Sequence, residues 1–313
     1  MTLPAMNEFS LIQQFFNAQR QDNPHVVLGI GDDAAIIQPP AGQQLVISTD
    51  TLVAGRHFPL DTPPHAIGWK AVAVNLSDLA AMGAKPQALL LALSLPDVDA
   101  AWLAEFSRGF FECCQPQQVA LVGGDTTKSP TLTMSVTALG WVPGGQAICR
   151  RGAQVGDVIV VSNTLGDAAY ALRHPGSEIQ RRLDYPQPQS ELGIALHGFA
   201  HSMLDISDGL AQDLGHILQA SGVGAVLHVD QLPFSPVLQL LDARQRWAYA
   251  LTGGDDYELC FTLSPQQLVR FQAQYAGQFH LTAIGEICQQ PGLQLMHHGQ
   301  PVTLDIKGYQ HFD

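Results

Sequence analysis

Residues 66–95 read AIGWKAVAVNLSDLAAMGAKPQALLLALSL. Ala66 to Met82 is built of helix-compatible residues and runs into Gly83 and Pro86, which together form a helix stop. The apolar run that follows, from Ala88 and most clearly Leu89–Leu95, halts at Pro96 and has the length of a strand covered on both faces. Further strands are expected at Val26–Ile30, Leu45–Thr49, Val119–Val122, Leu132–Val142, Val158–Ser162, Ala225–Val229 and Glu258–Leu263. Helices are expected at Glu8–Phe16, Ala100–Cys114, Gly166–Arg173 and Gly209–Ala220. Irregular interleaving of the two argues for a mixed α/β or α+β fold.

A chain of 313 residues is long enough for two domains. Pro143-Gly144-Gly145 closes a long strand ahead of Arg150-Arg151-Gly152, so the boundary is expected there, giving residues 1–145 and 146–313. Residues 173–190, basic and then Tyr-Pro-Gln-Pro, read as an exposed connection.

Twenty-eight acidic against 15 basic residues give a formal charge of -13. With no basic run, the chain is a poor partner for nucleic acid or an anionic membrane surface. Hydrophobic residues make up 46% and charged residues 14%, which supplies a large core and argues against disorder. No apolar stretch approaches the ~18–20 residues of a membrane span. The opening MTLPAMNEFS shows neither a basic n-region nor an apolar h-region. The five cysteines (113, 114, 149, 260, 288) form no CxxC pair and no zinc spacing, so reduced thiols in a cytoplasmic protein are expected.

Of the 28 acids, 21 are Asp. Nine of these fall in six small-residue contexts that read as turns: GIGDD (Asp32, Asp33), STD (Asp50), NLSD (Asp78), GGD (Asp125), DISD (Asp205, Asp208) and GGDD (Asp255, Asp256). One such Asp alone is an N-cap or turn residue. Six recurrences point elsewhere. Carboxylates brought to about 4 Å repel by roughly 4 kcal/mol per pair at an effective dielectric of about 20. Bound cations or raised pKa values would be needed to hold them together, and all-oxygen donors select Mg²⁺, Mn²⁺ or Ca²⁺ over zinc. There is also an internal echo. Asn75-Leu-Ser-Asp78 matches Asp205-Ile-Ser-Asp208, and each is followed 47 residues later by a Gly-Gly-Asp, which suggests two related halves.

Gly29-Ile-Gly31-Asp-Asp-Ala34 fits a dinucleotide fingerprint, with Asp50 about twenty residues on. Two carboxylates occupy the place of the pyrophosphate, however, and AAIIQPP is a β-type run rather than a helix start. Dinucleotide binding is therefore excluded, and no GK[ST] supplies a P-loop. Gly123-Gly124-Asp125-Thr126-Thr127-Lys128 is either a tight hairpin or a place where backbone amides approach a phosphate beside a cation-holding Asp. Arg150 and Arg151 are either a phosphate-binding fork or a surface pair. His57 lies seven residues after Asp50 and either touches substrate or is structural.

In order, GIGDDAA, STDTLVAGRHF, VNLSDLAAMGAKP, LVGGDTTKSP, DISDGLAQDLGHI and GGDDYELCFT closely resemble the thiamine-monophosphate kinase family. That family is part of the aminoimidazole-ribonucleotide-synthetase-like superfamily. The similarity runs from about Phe9 to DIKGYQHF, nearly the whole chain. It implies an N-terminal domain pairing in a homodimer and a C-terminal α/β domain covering the active-site cleft. It also implies Mg²⁺-dependent transfer from ATP to thiamine monophosphate. By position, Asp33, Ser48, Thr49, Asp50, Asp78, Asp125, Asp205 and Asp208 would be magnesium ligands. Gly124, Asp125, Arg150 and Ser207 would meet ATP, and His57, Asp255 and Tyr309 would face thiamine monophosphate. Asp50, Asp125 and Arg150 would carry the catalysis. The family often has Glu where this chain has Asp255, so that contact has a shorter arm. The alternatives are a cyclase- or ligase-type member of the superfamily and a non-catalytic divalent-cation-binding protein. A selenophosphate-synthetase-like activity expects a reactive Cys near the N-terminus, yet none precedes Cys113. The hydrogenase-maturation relative ends in a functional Cys, whereas this sequence ends Phe312-Asp313.

Overall fold

The computed structural model describes residues 8–19 and 23–304. The fold is mixed α/β, in two compact units. The first takes the described residues up to Leu79 together with Lys85–Gly145; the second takes Ala80–Ala84 and the described residues from Gln146 onward.

In the first unit, α1 (Glu8–Leu11) continues as a wider turn over Ile12–Phe16, and β1 (Val26–Leu28) pairs antiparallel with β2 (Ile36–Ile37). Then come β3 (Gln43–Val53), α2 (Pro64–Ala81), β4 (Lys85–Leu95), α3 (Ala100–Cys114), β5 (Ala120–Lys128) and β6 (Thr133–Pro143). The strands form one sheet in the order β3-β6-β4-β5, with β4 and β5 parallel and the other pairs antiparallel. Asp99 caps α3 by accepting the Ala101 and Trp102 amides, which satisfies two of the donors a helix start leaves unpaired. Most of α2 is buried, as expected of a helix apolar on all sides. On one sheet face the β1-β2 ribbon covers Ala88, Ala120 and Val122.

The second unit contains β7 (Val158–Ser162), α4 (Asp167–Arg173), α5 (Gln180–Asp184), α6 (Ser190–Ala195), β8 (Ser202–Asp205), α7 (Leu210–Ser221) and β9 (Gly224–His228). It continues with α8 (Pro236–Gln239), α9 (Ala243–Thr252), β10 (Leu259–Leu263), α10 (Pro265–Gln274), β11 (Leu281–Cys288), β12 (Gly292–His297) and β13 (Gln300–Val302). The sheet order is β13-β12-β9-β11-β7-β10-β8. Strand alternation sends Ile159 and Val161 into a core with Leu214, Ile217 and Trp247, and Val160 into another with Leu196, Phe261 and Phe271. Both faces are covered, which is why β7 and β10 read as unbroken apolar runs.

The structure corrects three expectations. Residues 173–190 are not an exposed connection: they include α5, with Leu183 buried and Arg182 drawn inward by acids distant in sequence. Asp50 and Asp125 lie inside the strands β3 and β5, and Asp78 lies in the last turn of α2, so these three are not turn residues. Sheet pairing overrides local turn preference at the first two. The equal 47-residue spacing is likewise not a structural repeat. Asp78 sits inside a helix whereas Asp208 precedes one, and the first Gly-Gly-Asp is strand whereas the second is irregular.

Candidate active site

In the first unit, β3 is an edge strand whose alternate side chains Ser48 and Asp50 share one face. Asn75 and Asp78, three residues apart on α2, meet that strand. Asn75 Oδ1 accepts the Asp50 amide at 3.0 Å, and Asn75 Nδ2 donates to the Ala71 carbonyl at 3.0 Å. The Ser48 hydroxyl donates to Asp78 Oδ2 in a short hydrogen bond. Thr49 points to the other face, where its hydroxyl donates to the Val136 carbonyl at 3.0 Å and lies 3.0 Å from Thr137 Oγ1. Just beyond β3, His57 Nδ1 accepts the Val53 amide at 2.9 Å, which leaves Nε2 carrying the ring proton.

GIGDD and GGDTT, ninety residues apart in sequence, line one cavity of about 870 Å³, the size range of small-molecule sites. Gly31, Asp32, Asp33, Gly124, Asp125 and Thr126 line it together with the apolar Leu91 and Val122. Asp32 Oδ1 accepts the Asp33 amide at 2.8 Å, and both aspartates are exposed, as is Asp125. Gly124 has φ +148°, and a Cβ there would lie 1.8 Å from the Leu91 carbonyl oxygen. Only glycine allows β5 to lie this close to β4 beside the carboxylate.

In the second unit, Asp205 ends β8, nearly buried, and the chain turns through Ser207 and Asp208 into α7. Asp213 holds that turn. Its Oδ2 accepts the amides of Ser207, Asp208 and Gly209 at 3.0, 3.0 and 3.1 Å. Burial pushes the Asp213 carboxyl up to about 6 against the pull of those amides. Gly254 packs on the Ser207 carbonyl, where a Cβ would be 2.3 Å away. The Asp255 and Tyr257 amides donate to the Ser207 and Ile206 carbonyls at 2.9 and 2.8 Å. DISD and GGDDY are thus stitched together. Asp255 and Tyr257 both adopt left-handed backbone, φ 68° and 51°, and the Tyr257 hydroxyl donates to Asp255 Oδ1 at 3.1 Å. Arg150 is exposed, its carbonyl receiving the Ser221 hydroxyl at 3.4 Å. Tyr309 lies outside the described residues.

The alternating acids Asp256 and Glu258 point inward and are nearly inaccessible. Glu258 Oε2 receives Ser162 Oγ at 2.5 Å and Asn163 Nδ2 at 2.9 Å, while Oε1 receives Arg182 Nη2 at 2.8 Å. Asp256 Oδ2 receives the Gly166 amide at 2.8 Å. Burial raises both carboxyls above their ordinary range, Asp256 well above it. Burial also works against the charge on Arg182, but Glu258, Asp256 and Asp167 outweigh it and hold the guanidinium above its usual value.

Sequence reasoning found the acidic motifs but missed Asn75, Asp213, Arg182 and Glu258 as their supports. Asn75 and Glu258 stand within the quoted motifs, and an Asp in the first turn of α7 is a capping signal. Arg182 carried no local signal. Among the described residues, no three His, Cys, Asp or Glu side chains gather closely enough to hold an ion unaided. Asp32, Asp33 and Asp125 at the cavity are exposed oxygen donors, the ligand class of Mg²⁺, which takes one or two carboxylates and completes its shell with water and substrate phosphates.

Residues 31–142 match the family described as AIR synthase related protein, N-terminal domain. Thiamine-monophosphate kinase of Escherichia coli (strain K12) is 46% identical, over 98% of this chain and 99% of that protein. The crystal structure of thiamine-monophosphate kinase from Stenotrophomonas maltophilia K279a is similar with a TM-score of 0.86 and 45% identity, covering 95% of this chain and 98% of that one. AaThiL complexed with AMPPCP and TMP matches with a TM-score of 0.76 and 30% identity, over 100% and 99% of the two chains. With carboxylates on these motifs and kinase relatives aligned over almost every residue, the chain belongs to the thiamine-monophosphate kinase family.

Proposed function

We propose that this protein transfers the γ-phosphoryl group of ATP to thiamine monophosphate, giving ADP and thiamine diphosphate. The observation that carries the reading is the single cavity that Asp33 and Asp125 line together with Gly31, Gly123 and Gly124. It is joined to full-length similarity to kinases of this name and to a relative complexed with AMPPCP and TMP.

The acceptor is a phosphate monoester oxygen, already anionic, so it needs little help from a general base. The difficulty is electrostatic, since two polyanions must meet within a chain of charge -13. Several Mg²⁺ ions would be held, by Asp33, Asp50, Asp78 and Asp125 of the first unit and by Asp205 and Asp208 of the second, with Ser48 as an oxygen neighbour and Thr49 behind it on the other face of β3. They would neutralise phosphate charge. Gly124 would offer its main chain and Ser207 its side-chain hydroxyl to the nucleotide, and Arg150 a planar fork for its phosphates. His57 would donate from Nε2 to thiamine monophosphate. Asp255, a methylene shorter than the family's usual Glu, would be aimed at it by Tyr257, with Tyr309 completing the substrate contacts. Transfer is direct and in line, with no phosphoenzyme.

The protein works as a homodimer in the cytoplasm. In support, β3 leaves Leu45 and Ile47 45% and 59% exposed on one sheet face, an apolar strip suited to a second copy. No helix among the described residues is long and apolar enough to cross a membrane. Incubation with ATP, Mg²⁺ and thiamine monophosphate should yield thiamine diphosphate. Mg²⁺ binding without product would instead favour a cation-binding protein, and ATP turnover on another acceptor a cyclase- or ligase-type relative.

A further inference from the structure

Gly254–Tyr257 carries two non-glycine residues in left-handed backbone, Asp255 and Tyr257. Such a conformation costs of order 1 kcal/mol or more per residue and persists only where the surroundings over-determine it. Here the next residue in each case is an inward acid, Asp256 or Glu258, and these anchor the loop from beneath. Both lie near Arg182, which donates to Glu258 at 2.8 Å and to the Thr164 carbonyl at 3.2 Å. Its Nε stands 3.6 Å from Asp167 Oδ2. Asp167 is itself nearly inaccessible and receives the Ser235 hydroxyl at 2.5 Å. One guanidinium therefore links α5, the start of α4 and the acidic motif.

We propose that Arg182 is a positioning residue for thiamine-monophosphate binding, acting through Glu258 to hold the Gly254–Tyr257 loop in the strained form that presents Asp255. The role rests on the reading above that Asp255 faces thiamine monophosphate. Removing the guanidinium leaves buried carboxylates without their counter-charge, and the loop loses the anchor that keeps Asp255 and Tyr257 in left-handed backbone.

The test uses the full-length enzyme with Arg182→Gln, Arg182→Lys, Glu258→Gln and the Arg182→Gln/Glu258→Gln pair. Amide hydrogen exchange at Asp255 and Tyr257, bonded to Ser207 and Ile206, should accelerate about tenfold in R182Q, with R182K in between. The KM for thiamine monophosphate should rise about tenfold while the KM for ATP stays within about twofold. The double variant should be no worse than the worse single within about twofold, as for two groups acting through one contact. Unchanged exchange in R182Q, equal rises in both KM values, or additive effects in the double variant would each overturn the proposal. Should R182Q fail to fold, R182K, which keeps the charge and one contact, decides the same questions at smaller amplitude. Failure of the wild type to make thiamine diphosphate would defeat the functional reading alone, since the exchange rates still decide whether Arg182 holds the loop.

Discussion

The main-chain amide of Asp50, in the middle of β3, is received by the buried side-chain oxygen of Asn75 on α2 at 3.0 Å. The same Asn75 donates back to its own helix at Ala71, so it acts as a rigid bridge between helix and edge strand. Asn75→Ala strands the Asp50 amide on β3, while the Ala71 carbonyl keeps its i+4 helical partner, at a cost of about 1–3 kcal/mol. Urea unfolding should show a lower midpoint with an unchanged slope. Turnover should fall further than the stability loss explains, because Asp50 loses its register beside Ser48 and Asp78. An Asn75→Ala enzyme with wild-type turnover would show that Asp50 needs no such bridge.

Gly124 lies beside Asp125 with φ +148°, and Leu91's carbonyl oxygen occupies the space a Cβ would need. Both the backbone conformation and the contact oppose any side chain, and the obstacle is backbone, which does not swing aside. Gly124→Ala should therefore cost at least about 2 kcal/mol in chemical unfolding. It should also weaken ATP binding, since β5 must move away from β4 and carry Asp125 with it. Gly144→Ala, at a surface turn with only the Gly42 carbonyl 3.3 Å from its Cβ position, is the control and should cost far less.

Much of this was legible in the sequence, and what was not has identifiable causes. β7 and α3 were read to the residue, because an apolar run of sheet length and an Asp-capped amphipathic segment are both local signals. Asp50 and Asp125 were recognised as chemically important yet assigned to turns. Ser-Thr-Asp and Gly-Gly-Asp have turn composition, and only pairing with Val136 and Ala92, remote in sequence, makes them strand. β8, four residues long, is too short to show a period. α9 and α10 were passed over although Asp242 and Ser264-Pro265 are ordinary helix starts. Arg182 lies in a polar five-residue helix, and what buries it is a carboxylate 76 residues away, which no local reading reveals.

Asp50→Asn and Asp125→Asn keep size and hydrogen-bonding capacity but remove a negative charge. If these carboxylates hold Mg²⁺ against ATP, each variant should lose most of its turnover, about a hundredfold or more, while circular dichroism and the unfolding midpoint stay near wild type. The Mg²⁺ concentration for half-maximal rate should rise in both. Full turnover in either purified variant would remove that residue from the metal site.

Asp256 gives a prediction in pH. The carboxyl is buried, Oδ2 receives the Gly166 amide, and Oδ1 has no hydrogen-bond partner among the described residues. Burial disfavours its charged form more strongly than the Gly166 amide and Arg182 favour it, so its folded pKa lies well above 3.8. In the unfolded chain the same group ionises near 3.8. The folded state then holds a proton that the unfolded state has released. The resulting stability is complete below 3.8 and is lost as pH rises through the folded value. Asn cannot ionise, so Asp256→Asn escapes that loss. Its thermal midpoint relative to wild type should climb as pH rises above about 5, whatever its offset at the acid end. Parallel curves would mean that Asp256 is charged in the folded protein throughout, with Arg182 outweighing the burial, and a gap that narrows with rising pH would reverse the sign argued here.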